Sequence, residues 1–456
     1  MAAKLAERGC ASIIGSKSAI REIHARSENC VFLGRLDSNT GRTSYDREYV
    51  KEMEKKGTAL FFMHDEGGLY FKGEYDDWVR KIYPEDYFGS SALKKVMFWG
   101  DSQRDVFRNS PFTSKFEVTG FPRFDLCKPE FGAIDDGSVA DLKKKYGEFI
   151  LVCGRFAAVN MVADDPSALG QRSYDIRVEG GSLKTKGKEQ IIRSMFESWG
   201  KVSQEFSQFV PTIAKLALDF PEINFVLRPH PAEKESFYKD AFVHFDNVFI
   251  DKTGDVRPFI RACQALIHSE CTTGLEAELC CKPNINYRPC ADLPISGEYE
   301  VAGASDIGVI VKNYNELSEY LESIYAENFP FEHSPYNPER LIANTQEEFY
   351  SADRICDLIM DWSDQVSVSS SVKSKISSYD YILYYVKQIT KKVVKKALGY
   401  LGVEKFKRLI VGGGDLKFYQ YSDEEIERIW KAVGSEDTEL ATVGGVIYVR
   451  PIEMAP

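Results

Sequence analysis

The sequence predicts an α/β protein with two Rossmann-type parallel-sheet domains and a helical C-terminal tail. Three observations support this prediction. The chain has 456 residues, too many for one compact core. Short apolar runs alternate with helical stretches through most of it, which is typical of βαβ units. Clusters of His, Asp, Glu, Ser and Thr follow several of the apolar runs, where ligands bind in open parallel sheets.

The first domain is predicted over residues 1–135. The chain opens on a helical stretch and a short apolar run, whereas α/β domains normally open on a strand. We therefore expect the first strand of this domain to lie upstream of the sequence. The following apolar runs are predicted strands, separated by helices at 44–56 and 101–107; the runs are 30–33, 59–63, 94–99 and 116–119.

A Gly- and Asp-rich stretch at 132–137 is the predicted boundary, and the second domain is predicted over residues 140–362. Its first run, FILVC at 149–153, is apolar throughout, as expected of a strand buried on both faces. Further strands are predicted at 224–227, 248–250 and 265–268, with a long helix at 194–219. A Ser-rich linker is predicted at 363–379 and a tail at 380–456, which begins with an amphipathic helix.

The charge is distributed unevenly. The chain carries a net charge of −11, the opposite of the balance in nucleic-acid binders, so the sequence argues against a nucleic-acid partner. Residues 387–408 hold seven Lys, one Arg and one Glu, a charge of +7, which leaves −18 for the rest. This segment is either a solvated helix packed by one face or a helix lying on the anionic inner membrane.

Composition also bears on location and metals. No run of 18 apolar residues and no secretory signal is present, and the ten cysteines form no CxxC pair. We therefore expect reduced thiols and a cytoplasmic protein, with peripheral contact to the membrane through residues 380–410. Carboxylates do not cluster in a DxD pattern, so we expect no metal and no other cofactor.

Arg228-Pro229-His230-Pro231 follows a predicted strand. Two prolines stiffen the loop that presents His230, whose imidazole can donate to a phosphate oxygen, and Arg228 can add a forked cation. These residues, with Pro231, are candidates for nucleotide binding. The alternative is a strand-ending turn with a solvated histidine.

The segment from His268 to Gly274 joins a predicted strand to a helix. Its hydroxyls lie where free N–H groups and the helix dipole favour an anion, although N-capping is the alternative. Glu276, one turn into the helix, is a candidate for ribose hydroxyls, and its alternative is a surface carboxylate. The candidate phosphate-binding residues are His268, Ser269, Thr272, Thr273 and Gly274.

Two further motifs follow strands of the first domain. In the acidic motif at 64–68, Asp65 or Glu66 could act as general acid or base towards an acceptor hydroxyl, with His64 beside them; the alternative is an acidic glycine turn. In the motif GFPRFD at 120–125, Asp125 is either a nucleophile or a structural partner of Arg123.

Together these motifs resemble a known group, the bacterial surface-carbohydrate (capsule and lipopolysaccharide) biosynthesis proteins, which are similar to GT-B glycosyltransferases. The resemblance covers about residues 4–360. It rests on GFPRFDL at 120–126, RPHP at 228–231 and HSECTTGLEAELCCKP at 268–283. The order of the acidic-Gly, His-Pro and Ser/Thr motifs is similar to that of CMP-sialic acid and CMP-Kdo transferases.

The resemblance implies a GT-B fold with two domains facing a cleft, the first on the acceptor side and the second binding the nucleotide sugar. It implies that His230, Ser269 and Thr272 hold CMP. It also implies that Glu66 or Asp65 serves a glycan or glycolipid acceptor. The leaving phosphate would be stabilised without a metal. Both an inverting route and a retaining route, with Asp125 as nucleophile, remain open.

Three alternatives also remain open. The first is a CDP-glycerol or CDP-ribitol polyol-phosphate transferase, the second a nucleotide-sugar epimerase or hydrolase of GT-B fold, and the third a non-catalytic partner in glycan assembly.

Overall fold

The structure is a computed structural model of the chain. It describes residues 1–15, 17–28, 30–36, 46–65, 70–161, 169, 187–293, 296–326, 337–367, 426–427, 429–431, 438–443 and 446–451. The predicted basic helix at 381–410 lies outside these residues.

The first part of the chain builds a four-stranded parallel sheet in the order β2 (Val31–Gly34), β3 (Ala59–Met63), β4 (Leu93–Phe98) and β5 (Phe116–Val118). Its central strand is apolar throughout because both of its faces are covered. The elements, in chain order, are α1 (Ala2–Glu7), β1 (Ser12–Ile14), α2 (Lys17–His24), β2 (Val31–Gly34), α3 (Arg47–Lys55), β3 (Ala59–Met63), α4 (Tyr75–Ile82), β4 (Leu93–Phe98), α5 (Asp101–Asp105), β5 (Phe116–Val118), α6 (Pro122–Asp125) and α7 (Asp136–Tyr146). Helix α7 packs against the second sheet.

The second part builds a six-stranded parallel sheet in the order β11 (Val309–Val311), β10 (Asn284–Tyr287), β9 (Ala265–His268), β6 (Phe149–Cys153), β7 (Asn224–Arg228) and β8 (Val248–Ile250). From β6 the chain adds strands first on one side and then on the other, as in dinucleotide-binding folds, so the order reverses between β6 and β9. The elements are β6 (Phe149–Cys153), α8 (Lys188–Asp219), β7 (Asn224–Arg228), α9 (Glu235–Ala241), β8 (Val248–Ile250), α10 (Val256–Ala262), β9 (Ala265–His268), α11 (Thr272–Leu279), β10 (Asn284–Tyr287), α12 (Ser296–Tyr299), β11 (Val309–Val311) and α13 (Tyr314–Tyr325).

The chain then returns to the first sheet. Helix α14 (Ser351–Ser367) packs its apolar side, including Ile355 and Ile359, against Phe61 and Met97 of that sheet. It extends beyond residue 362 into the predicted linker. The prediction of an α/β protein with two parallel-sheet domains is confirmed.

A small antiparallel sheet, which the sequence did not predict, joins the two ends of the described chain. Strands β12 (Thr438–Val443) and β13 (Val446–Pro451) form a hairpin, and β13 pairs with β1. The apolar run at 11–15 is therefore a strand, but it lies outside the parallel sheet. Within the described ranges, no helix is long and apolar enough to span a membrane.

Candidate functional site

The candidate site lies at the carboxyl edge of the six-stranded sheet. Cys153, at the end of β6, is level with Arg228 of β7 on one side and with His268 of β9 on the other. The loops after β7 and β9 are therefore two strand spacings apart, roughly 10 Å. Because the strand order reverses between β6 and β9, the crevice between their loops is where a parallel sheet of this order binds ligands.

The loop after β7 is held rigidly. Arg228 donates to the carbonyls of Thr253, at 2.7 Å, and Gly254, and its guanidinium lies 4.5 Å from the centre of the Phe259 ring. The side chain predicted to bind phosphate thus fastens the loop after β8. Burial lowers the pKa of Arg228.

His230 is half-buried, and Pro231 beside it is exposed. The Nδ1 atom of His230 accepts a hydrogen bond of 3.2 Å from the Ala232 amide. This contact assigns the ring proton to Nε2 in the neutral tautomer, which makes Nε2 a hydrogen-bond donor. The arrangement suits the predicted contact with a phosphate oxygen.

Helix α11 begins without a side-chain cap. Its N-cap residue is Cys271, whose side chain accepts no bond from the first turn. Thr272 and Thr273 are half-buried at the first two helical positions. Ser269 is 1% exposed, and its Oγ makes no hydrogen bond within the described residues. Because no hydroxyl caps this helix, N-capping does not explain the Ser and Thr residues here. The backbone N–H groups of the helix start are therefore available as donors to an anion.

His268 is fully buried beneath the start of α11. Its Nδ1 accepts a bond of 3.2 Å from the Cys271 amide, and a Cβ added at Gly274 would lie 2.5 Å from its ring. Burial lowers the pKa of His268 to about 3, so the imidazole is neutral at physiological pH. His268 and Gly274 therefore shape the helix start through their packing.

A buried ion cluster lies beside the crevice. Glu270 pairs with Arg155, with Lys201 at 2.9 Å and with Arg288 at 3.4 Å. Burial raises the pKa of Glu270, but these cations outweigh it and bring the pKa to about 2. Glu270 also has a φ of 44°, a left-handed conformation that is uncommon for a residue with a side chain.

The cluster continues to the first domain. Arg288 also pairs with Glu300, which accepts from Lys72 at 2.9 Å. Beside this pair, Phe71 and Val301 form an antiparallel bridge between the two parts of the chain. The candidate site is thus connected by ion pairs to the seam between the domains.

The GFPRFD motif lies across that seam. Arg123 pairs at 2.8 Å with Glu276 of α11 and not with Asp125, its expected partner. Asp125 is 2% exposed and accepts from Asn344 at 2.6 Å and from the amides of Ser351 and Ala352 at 3.0 and 2.8 Å. The geometry favours an anchoring role for Asp125 over that of a nucleophile, and it gives Glu276 a protein partner in place of a ribose.

The acidic motif is described only in part, since Glu66 lies outside the described residues. Asp65 pairs with Arg35 at 2.6 Å, and 46% of its side chain is exposed. His64 is buried, and its carbonyl accepts from the Trp99 indole at 2.9 Å. The carbonyl of Tyr70 accepts a hydrogen bond from the Ala302 amide across the seam. Asp65 lies five residues before Tyr70, so the two residues are at most roughly 18 Å apart. The motif therefore begins near the seam.

Three cations of the cluster were not predicted from the sequence. Arg288 directly follows β10, and Arg155 lies two residues after the end of β6, so the rule that ligands bind at strand ends could have identified both. Lys201 lies inside a long helix beside Glu205 and carries no such signal.

The fold has distant likenesses among solved structures. One is UDP-GlcNAc 2-epimerase from Neisseria meningitidis bound to UDP-GlcNAc, with a TM-score of 0.41 and 11% identity over 76% of this chain and 81% of that chain. The same enzyme from Methanocaldococcus jannaschii gives 0.40 and 11% over 75% and 78%. The wall teichoic acid polymerase TagF gives 0.38 and 11% over 69% and 70%. No protein-family model and no curated protein matches the sequence. At these values the likenesses carry no inference about activity.

Proposed function

We propose that the protein is a metal-independent glycosyltransferase that moves a sugar from a CMP-activated donor to a surface-glycan acceptor. The sugar of this proposal is an ulosonic acid similar to Kdo or sialic acid. One observation supports it most: at the point where the strand order reverses, an uncapped helix start, the unpartnered hydroxyl of Ser269 and the guanidinium of Arg155 lie together. Such donors bind a phosphate.

In the proposed reaction the bond between the anomeric carbon and the phosphate oxygen breaks, and its electron pair stays on the phosphate. The start of α11, Ser269 and His230 offset that charge. The acceptor hydroxyl bonds to the anomeric carbon and gives its proton to Glu66 or Asp65. Since Asp125 is anchored by three donors, the inverting route is the one we propose.

Replacing Glu66 with Gln should reduce transfer far more than CMP binding.

The deciding experiment is a thermal-shift screen of the full chain with CMP, CDP and UDP, followed by turnover assays with CMP-sugars, CDP-glycerol and UDP-GlcNAc separately. The proposal expects stabilisation by CMP and release of CMP only when an acceptor is present. Turnover of CDP-glycerol would support a polyol-phosphate transferase, and turnover of UDP-GlcNAc without an acceptor would support an epimerase. A thermal shift with no turnover at all would favour the non-catalytic alternative.

A variant pair tests the site. His230→Ala should remove the thermal shift with CMP while changing the melting temperature without nucleotide much less, because the His230 side chain is only half-buried. His244→Ala is the matched control, since His244 is exposed and lies between α9 and the start of β8, not after the carboxyl end of a strand. An unchanged thermal shift with CMP in His230→Ala would contradict the assignment of His230 to nucleotide binding.

We also propose that the protein is cytoplasmic and contacts the inner face of the membrane through residues 380–410. The support is the charge of +7 over 387–408, which suits an anionic lipid surface. Co-sedimentation with anionic vesicles, with and without residues 379–410, tests this. Equal sedimentation of the two forms would contradict membrane contact and favour the alternative, a solvated helix.

A further inference from the structure

A cavity of about 520 Å³ lies between α14 and the face of the four-stranded sheet that this helix covers. Its size is within the range of sites that hold small organic ligands. Four cationic side chains line it: Lys94, Lys95, Lys115 and Arg354. None of them belongs to the candidate site described above.

The cavity lies away from the seam, towards the beginning of β4 in the four-stranded sheet, whereas the candidate site is in the other sheet. Leu93, at the beginning of β4, lines it, whereas Trp99 follows the end of β4 at the seam. Six residues of extended chain separate them, roughly 20 Å. A molecule bound in the cavity would therefore not occupy the donor crevice.

The lining carries positive charge that the described residues do not balance. Glu117 pairs with Lys95 at 2.6 Å and with Arg354 at 2.9 Å. The other two lysines pair with no described carboxylate: Lys115 donates to the carbonyls of Phe88 and Ser90, and Lys94 to that of Ser91. Burial, with a contribution from Lys94, lowers the pKa of Lys115. An anion placed between these lysines would relieve their repulsion.

The rest of the lining argues against a bare anion. Asp361 lies at the exposed rim with no partner among the described residues, and it would repel a plain phosphate but accept from hydroxyl groups. Trp362 contacts Phe61 edge-on and adds an apolar surface beside Leu358. The basic segment at 387–408 has the same sign of charge as the lysines, so it is not a complementary occupant.

We infer that this cavity binds an acidic saccharide, a sugar residue that carries a carboxylate or a phosphate. The anionic group lies between Lys94 and Lys115, the hydroxyls donate to Asp361, and an apolar sugar face covers Trp362. The inference that the ligand is a sugar rests on the proposed function. The inference that it carries an anionic group rests on the residues that line the cavity alone. In a glycan-building enzyme such a cavity would hold a residue of the acceptor chain away from the reacting end.

The test measures binding to the full chain by titration calorimetry, with excess CMP present to occupy the donor crevice. The probes are N-acetylneuraminic acid, glucose 6-phosphate, glucose and inorganic phosphate. We expect at least one acidic sugar to bind and both glucose and phosphate to bind about tenfold more weakly or not at all. Comparing the two acidic sugars distinguishes a carboxylate ligand from a phosphate ligand.

Variants locate the binding. Lys94→Glu and Trp362→Ala should each weaken the acidic sugar about tenfold or more, whereas Lys143→Glu, an exposed lysine of α7, should not. Binding that survives both cavity variants, or phosphate binding as tight as that of the sugars, would overturn the inference; the second result would mean an adventitious ion only. Lys94→Glu should keep its thermal shift with CMP. A wild-type chain that binds the sugar but not CMP would refute the proposed function, whereas the inference that the cavity binds an acidic sugar would stand.

Discussion

Glu270 is a single buried carboxylate on which three cations converge. Removing its charge while keeping its size, in Glu270→Gln, leaves Arg155, Lys201 and Arg288 with less than their full countercharge. Breaking a buried ion pair in this way costs about 3–5 kcal/mol. Urea denaturation should show this loss, and Asp65→Asn, which breaks the exposed pair with Arg35, should cost less than about 1 kcal/mol. Equal small losses in the two variants would show that the cluster adds little to stability.

The same residue makes a prediction about pH. The folded pKa of Glu270, about 2, lies below its ordinary value of 4.5, so its stabilisation is complete above that ordinary value and is lost as the pH falls towards 2. The gap in unfolding free energy between wild type and Glu270→Gln should therefore be widest at neutral pH and close between about pH 4.5 and 2. A gap that stays constant across this range would mean that the variant acts through packing.

At the scale of one element, the start of α11 depends on a glycine. Gly274→Ala should destabilise the protein by about 1–3 kcal/mol, because the new Cβ would lie 2.5 Å from the buried His268 ring. Gly200→Ala is the control: it lies inside α8 with nothing within 4 Å of its Cβ position, so it should gain up to about 1 kcal/mol from helix propensity. Thermal melts measure both, and a stabilised Gly274→Ala would show that the helix start can move away from the sheet.

The same elements show how far the sequence could predict the structure. The strands at 149–153 and 265–268 were predicted to the residue, because an apolar run between polar turns is a local signal. The pairing of β1 with β13 joins residues over 430 positions apart, and no local pattern encodes it. The partner of Arg123 was missed for the same reason: a neighbour in sequence, Asp125, was expected, whereas the fold supplies Glu276 from the other domain.

Across the whole molecule, the seam between the domains combines apolar packing with ion pairs. Trp99 from the end of the first sheet packs in one cluster with Leu275 of α11 and with Leu341 from the returning chain. The Arg123–Glu276 and Lys72–Glu300 pairs also cross the seam. Leu275 and Glu276, which make these contacts, both lie in α11, whose start forms the candidate site. The two domains are therefore joined beside that site.

The Arg123–Glu276 pair gives the last prediction. Burial raises the pKa of Glu276, and Arg123 opposes that rise. In Arg123→Ala the pKa should rise further, so the variant should lose stability as the pH increases from 5 to 8, because ionising an unpaired buried carboxylate then becomes costly. Glu276→Gln and the double variant should lack that pH dependence. Because 47% of the Arg123 side chain is exposed, water screens the pair, and the coupling free energy from the double-mutant cycle at pH 7 should be about 1 kcal/mol. Strictly additive losses at pH 7 would show that the Arg123–Glu276 pair adds nothing to the stability of the seam.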